Sequence, residues 1–544
     1  MSRSLLVAAA LGAMLSSLPA AVRVRDLPAV QLPAIPERSV RLTDFGAVAD
    51  GRTPATAAFA AAIERVAAQG GGRVIVPAGE WRTGPIVLRS RVALHLEKGA
   101  LIRFSENRDD YPLVETDFEG GRSWRCQSPI SGNGLEDIAI TGEGTIDGSG
   151  QVWRPVKKSK QTPEQWAALV ASGGVLNPRG DIWYPSAGSL EGNESPSARG
   201  TRDPQKLAAI RDALRPVMVS LRDCRRVLLE GVTFQNSPAW NIHPLYCEHL
   251  AVRRVTVTNP WYAQNGDGLD LDSCRDVLVE DSTFDVGDDA ICLKSGRDEA
   301  GRRRQRPTER ITVRRCRVLH GHGGFVIGSE MSSGVRDVRV SDCELTGTDV
   351  GLRFKSTRGR GGVVENILVE RVRMAAIPRD AITFDLFYGG KAPTEVDASD
   401  AAAAEAAPVP PADITTPAFR NITLRDVTCE GAGRAALLQG LPEMPLENIR
   451  LEDCAFRADA GILMSDVVGL TLERVRLDVA SGVPLELRRS RDVVVRELAA
   501  PTTTAGPVVH VSGANSSGIV LPANLPDTAV TRAPGVPAAA LRRE

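Results

Sequence analysis

The chain reads as an all-β protein wound into a right-handed parallel β-helix. Three observations predict this. First, short period-2 segments recur, beginning at Val227, Leu250, Val277, Ile311, Val338, Ile367, Ile422, Ile449, Leu470 and Val493, in steps of 23, 27, 34, 27, 29, 55, 27, 21 and 23 residues. Second, the intervals lack the helical stretches that βαβ crossovers require. Third, residue types repeat at fixed phase: Cys224, Cys247 and Cys274 stand three residues before an anchor, and Cys316, Cys343 and Cys454 five after one. A sandwich has no reason to keep phase in this way, whereas stacked coils about 4.8 Å apart do. The 34-residue step suggests a coil with a basic loop, and the 55-residue step two coils with an insertion.

Taken in order, residues 1–21 have a secretory pattern: Arg3, an apolar run from Leu5, and small residues at Pro19-Ala20-Ala21. Residues 22–39 are a Pro-rich leader. A single β-helix domain is expected over 40–520, with an Ala-rich helix at 54–68 capping its open N-terminal end. The repeat breaks at 150–215, a long insertion holding Trp153, Trp166 and Trp183; Trp183 and Tyr184 line a sugar subsite or pack the lid. Residues 389–415 are Ala/Pro-rich and acidic, a loop. Residues 521–544 are a tail with little pattern.

With 544 residues, length alone suggests several domains, but a solenoid grows by adding coils. The net charge of −1 argues against a nucleic-acid-binding face. No apolar run is long enough to span a membrane. An exported, secreted or periplasmic monomer is expected. The nine cysteines lack metal-type spacing and are read mostly as stacked interior thiols, with one or two disulfides left open. No metal or other cofactor is expected.

The chemistry sits in four clusters, each about one coil apart: Asn265-Gly266-Asp267, Gly287-Asp288-Asp289, Gly321-His322-Gly323 and Arg353-Phe354-Lys355. Coiling brings three carboxylates, an imidazole and two cations to one face, a set suited to acid/base hydrolysis of an anionic polymer. Adjacent Asp288 and Asp289 repel, so one pKa rises and keeps a proton available. Gly287 is read as the bend that turns both outward, and Phe354 as an inward core residue. Taken singly, each cluster is an ordinary turn or solvated charge. His243 and His320 read as structural, and Arg302-Arg303-Arg304 as a solvated loop.

These clusters resemble the four signatures of the polygalacturonase and pectin hydrolase family, glycoside hydrolase family 28. Gly266 stands where the family has Thr, which should loosen the loop, and Phe354 where it has Ile. Gly46-Ala47-Val48-Ala49-Asp50-Gly51, Pro77-Ala78-Gly79 and Thr83-Gly84-Pro85 resemble the family's N-terminal region, so the likeness runs over about 40–500. It implies Asp288 as general acid, Asp267 and Asp289 as activators of water, and His322 beside the acid. Asn265, Arg353 and Lys355 would bind substrate, the two cations holding its carboxylate. It also implies inversion, and cleavage of α-1,4-galacturonosyl links in pectic galacturonan. The 150–215 insertion, if it closes one end of the groove, favours exo attack. Competing readings are a rhamnogalacturonan or xylogalacturonan hydrolase, a pectate lyase using Ca²⁺, and a non-catalytic polysaccharide-binding β-helix.

Overall fold

The structure is a computed structural model that describes residue 27 and residues 29–198, 200–390, 408–500 and 506–544. The export signal at 1–21 and residues 391–407 of the acidic loop lie outside the described residues. The chain winds as a right-handed parallel β-helix. Its coils align anchor on anchor: Val227 pairs with Leu250, Leu250 with Val277, Val277 with Ile311, Ile311 with Val338 and Val338 with Ile367. Each coil carries three strands. One sheet holds the anchors, and a second runs through Thr233–Gln235, Thr256–Thr258 and Thr283–Asp285. A third runs through Val219–Arg222, Ile242–Leu245, Leu269–Asp272 and Ile291–Lys294.

Alternation sends one set of side chains inward, where like stacks on like. Phe354 and Phe384 lie face to face at 4.3 Å and 3°, so Phe354 is the interior residue its spacing predicts. All nine cysteines are buried free thiols, and Cys247 Sγ lies 3.3 Å from the Leu221 carbonyl oxygen of the previous coil. The corners repeat as well. Arg254, Asp281, Arg315, Asp342, Arg371, Asp426, Asp453 and Arg474 all have φ between 50° and 58°, and each stands four residues after its anchor. Polar residues tolerate this left-handed turn because hydration and cross-coil ion pairs offset its cost.

Two expectations about the coils are corrected. Ile367 pairs directly with Ile422, so the 55-residue step is one coil with a long excursion, not two coils. The supposed tail continues the solenoid, with Val530–Arg532 pairing with Val509–Ser512 and Leu541–Arg543 with Ile519–Leu521. At the other end, helix Thr56–Ala68 packs Phe59, Ile63 and Val66 against the first coils. No helix among the described residues is long and apolar enough to cross a membrane.

Two excursions rise beside the third sheet. The 150–215 insertion folds into short helices and a three-stranded antiparallel sheet. Trp183 and Tyr184 are buried within it, and Trp183 Nε1 donates to Gly173 O at 2.7 Å, so they pack the insertion and do not line a sugar site. The second excursion, unseen in the sequence, is the hairpin Leu113–Phe118 and Gly121–Cys126. Asp117 pins it, 2.7 Å from Arg304 and 2.9 Å from Arg222. The 302–304 run is therefore not a solvated loop. It ends a helix, Asp298–Arg304, that ties the hairpin to the solenoid, and Arg302 donates to Arg360 O at 2.9 Å.

Candidate active site

The outward face of the third sheet is the floor of a groove. Gly268 N donates to Asp289 O (2.9 Å) and Ala290 N to Gly323 O (2.8 Å), which places Asp267, Asp289 and Gly323 at one phase on three successive coils. A neighbouring column holds Asp288, His322 and Asp349. His322 N donates to Asp288 O at 2.9 Å, and Gly321↔Thr348 with Gly323↔Val350 sets His322 over Asp349. His322 Nδ1 lies 2.7 Å from Asp349 Oδ2. One oxygen each from Asp267, Asp288 and Asp289 falls within 4.8 Å of the others. The four clusters thus converge.

The glycines of these clusters also make space. Gly287 stands at a bend, as expected, and reaches it without a left-handed φ. A Cβ there would stand 2.6 Å from Pro260 O, and one at Gly266 2.7 Å from Ala263 Cβ, so Gly266 permits close packing where a looser loop was expected. A Cβ at Gly323 would lie 3.1 Å from Asp289 Oδ1. The left-handed residue of the first cluster is Asn265, at φ 54°.

The carboxylates sit in unlike surroundings. Asp289 is buried, and burial alone would raise its pKa. Lys355 Nζ at 2.7 Å from Oδ2 and Arg353 Nη1 at 3.7 Å from Oδ1 outweigh burial and hold it below the ordinary carboxylate range. Asp288 is raised, first by burial and then by the charge of Asp289, while Lys355 and His322 oppose the rise. Asp267 is raised well above the usual range by burial and by Asp270 and Asp288, and its Oδ1 has no hydrogen-bond partner. Beneath them Asp270, with neither oxygen hydrogen-bonded, is pushed up to about 8 by burial, with Lys294 at 3.5 Å opposing. Lys294 also contacts Glu330 at 3.2 Å. Burial works against the Glu330 charge, but Lys294 and Lys355 hold its pKa down at about 2.

A family model described as Glycosyl hydrolases family 28 matches residues 162–453. A probable polygalacturonase of Vitis vinifera is 30% identical over 437 residues, covering 78% of this chain and 76% of the relative. The chain belongs to glycoside hydrolase family 28. It is therefore a hydrolase of O-glycosidic bonds. This family 28 chain is also similar to an exo-poly-alpha-D-galacturonosidase of Dickeya chrysanthemi, at 28% identity over 65% of this chain and 58% of the relative. The crystal structure of a hyperthermoactive exopolygalacturonase from Thermotoga maritima superposes with a TM-score of 0.68, at 32% identity, covering 84% of this chain and 95% of that one.

Within this family 28 site, Arg353 and Lys355 do not wait free for an anion. Lys355 is engaged with Asp289, Arg353 Nη1 has no hydrogen-bond partner, and both cations face the Tyr388 ring, at 5.6 and 5.0 Å. Asn265 is also committed, its Oδ1 accepting from Arg215 Nη2 at 2.8 Å. Of the two histidines read as structural, His320 pairs with Asp285 (2.9 Å) in a cleft it shares with His322 and Asp349. His243 is buried on the groove floor, 3.7 Å from Asp272. Reasoning from sequence missed Asp270, Lys294, Glu330, Asp349, Tyr388 and Arg215. Asp349 was within reach: the coil register carries His322 forward onto it.

Proposed function

We propose that this chain is an exported polygalacturonase that cleaves α-1,4-galacturonosyl links from the non-reducing end with inversion. The observation that carries the chemistry is the split between neighbouring carboxyls, the Asp288 pKa pushed up by burial and the Asp289 pKa held down by Lys355 and Arg353. That is the acid-and-base pairing hydrolysis needs. Asp288 gives its proton to the glycosidic oxygen. Asp289 takes one from a water that attacks the anomeric carbon as the glycosidic C–O bond breaks. Asp267, which environment keeps protonated, orients that water; this departs from an equal share of base work between Asp267 and Asp289. Asp349 fixes the His322 ring beside the acid. Arg353 and Lys355 stay beside Asp289 and present their remaining N–H groups to the substrate carboxylate.

The substrate reading is supported by the polygalacturonase names of the relatives, and exo action by two of those names together with the hairpin and insertion that crowd the N-terminal side of the groove. Inversion rests on the family resemblance. One oxygen from each carboxyl lies within 4.8 Å of the others, whereas the carboxyls of inverting pairs stand roughly 6.5–9.5 Å apart, which makes stereochemistry the sharpest test. Proton NMR of the first-formed product from polygalacturonate should show the β anomer; an α anomer overturns inversion. Reducing ends without unsaturated, ultraviolet-absorbing ends, appearing as monomer only, support exo hydrolysis. Mixed oligomers overturn exo action, and no product on polygalacturonate redirects the reading to branched pectins.

A further inference from the structure

The hairpin and the insertion enclose a cavity of about 500 Å³ whose wall reaches Asn265, two residues from Asp267. Two guanidinium groups in its lining are distinctive. Arg215 is 5% exposed; its Nη1 donates to Gln264 O (2.9 Å) and Pro238 O (3.2 Å), and its Nε is buried without a partner. Arg125 lies over the Phe118 ring at 3.7 Å and donates to Arg215 O at 3.4 Å, with its Nε also unpartnered. Among the described residues neither has a carboxylate within 4 Å, although Glu119 shares the wall. Among the described residues most other arginines are ion-paired; Arg154, also buried without a carboxylate, spends its terminal nitrogens on Ser237 O and Asn236 Oδ1. A buried cation and a half-buried one, both without an anion, are costly unless an anion arrives.

The position says which anion. Phe118 packs on Trp240 at 4.7 Å, and Trp240 stands one coil before Asp267. The cavity therefore lies on the N-terminal side of the carboxylates, and Arg353 with Lys355 on the C-terminal side. A bond between two uronic acids has a carboxylate on each flank, so a site that cuts it is complete only with a cation on each side. We propose that this cavity is a second carboxylate subsite, which seats the terminal uronate on the side opposite Arg353 and Lys355. Arg125 is its direct ligand. Arg215 is a positioning residue, adding charge and fixing Asn265. The inference rests on the galacturonan reading above.

The test compares wild type with Arg125→Gln on polygalacturonate, and measures competitive inhibition by free galacturonate and by galactose. Expected for the variant is a KM and a galacturonate Ki each raised about tenfold or more, with kcat within about twofold and the weak effect of galactose unchanged. A KM and Ki within twofold of wild type overturn the subsite, as does a fall in kcat alone, while the galacturonan reading stands. Wild type that releases nothing from polygalacturonate defeats that reading directly, and the subsite with it. Should Arg125→Gln not fold, Arg125→Lys keeps the charge and loses the planar fork; a galacturonate Ki raised about threefold supports the proposal and an unchanged one overturns it.

Discussion

The corner ladder and the groove floor use the same residue types on the same coils to opposite effect. At the corners each carboxylate has its arginine: Arg315 with Asp281 at 2.7 Å, Arg371 with Asp342 at 2.6 Å, Arg474 with Asp453 at 2.5 Å. Those aspartates are held below the usual range by these hydrogen bonds. On the floor, five carboxylates (Asp267, Asp270, Asp288, Asp289 and Glu330) share three cations (Lys294, Arg353 and Lys355), and burial pushes the pKa of Asp267, Asp270 and Asp288 up. Exposed pairs are each worth little because water already solvates both partners. The floor groups are mostly buried, with Asp288 half-buried, so their imbalance is costly, and it is the imbalance that favours a proton ready to transfer.

Four substitutions would break or sharpen that contrast. Asp288→Asn should lower kcat by about a thousandfold or more without lowering Tm, because it removes a proton donor and leaves a neutral isostere; near-normal turnover would end the acid assignment. Asp267→Asn should lower kcat by about a hundredfold yet raise stability at neutral pH by about 1 kcal/mol. The sign follows from a folded-state pKa above the unfolded value. Folding is penalised once pH exceeds the unfolded value of about 3.9, so the gain should vanish in denaturant titrations below it. Lys355→Met should destabilise by about 3 kcal/mol, leaving Asp289 buried without its partner. It should also move the acidic limb of the pH–rate profile upward, since the base must be ionised and Lys355 is what keeps its pKa low; the alkaline limb, set by Asp288, should move less. Arg371→Gln on the ladder should change stability by about 0.5 kcal/mol or less and leave activity alone. A large loss there would mean the ladder is not the inert half of the comparison.

The fold was legible because stacking forces like residues into phase, and the cysteine columns and left-handed corners both keep time with the anchors. The 55-residue step misled because an excursion of one coil's length is indistinguishable from a second coil until pairing is seen. The site was legible as motifs but not as electrostatics. Counting from the anchors puts Asp267 and Asp289 at different phases, 17 and 12 residues on. Counting back from Leu269 and Ile291, which pair, puts both two residues before. The loop before Asp267 absorbs the difference. Asp270 and Lys294 were hidden as ordinary alternation in Leu269–Asp272 and Ile291–Lys294, although a carboxylate on the outward phase of a buried strand is a signal worth following. Arg215 and Arg125 left no local trace, because the contacts that define them join segments up to 90 residues apart.

Pairing between adjacent coils alone also sets how the molecule comes apart. The groups from Asp267 to Lys355 occupy four successive coils, with further coils above and below. In a stack whose cohesion is between nearest neighbours, melting begins at the termini and travels inward like a zip. The C-terminal coils that end with Leu541–Arg543 then act as a sacrificial buffer. Heat would strip them while the reactive middle stays in register, so inactivation should lag the first loss of β-structure.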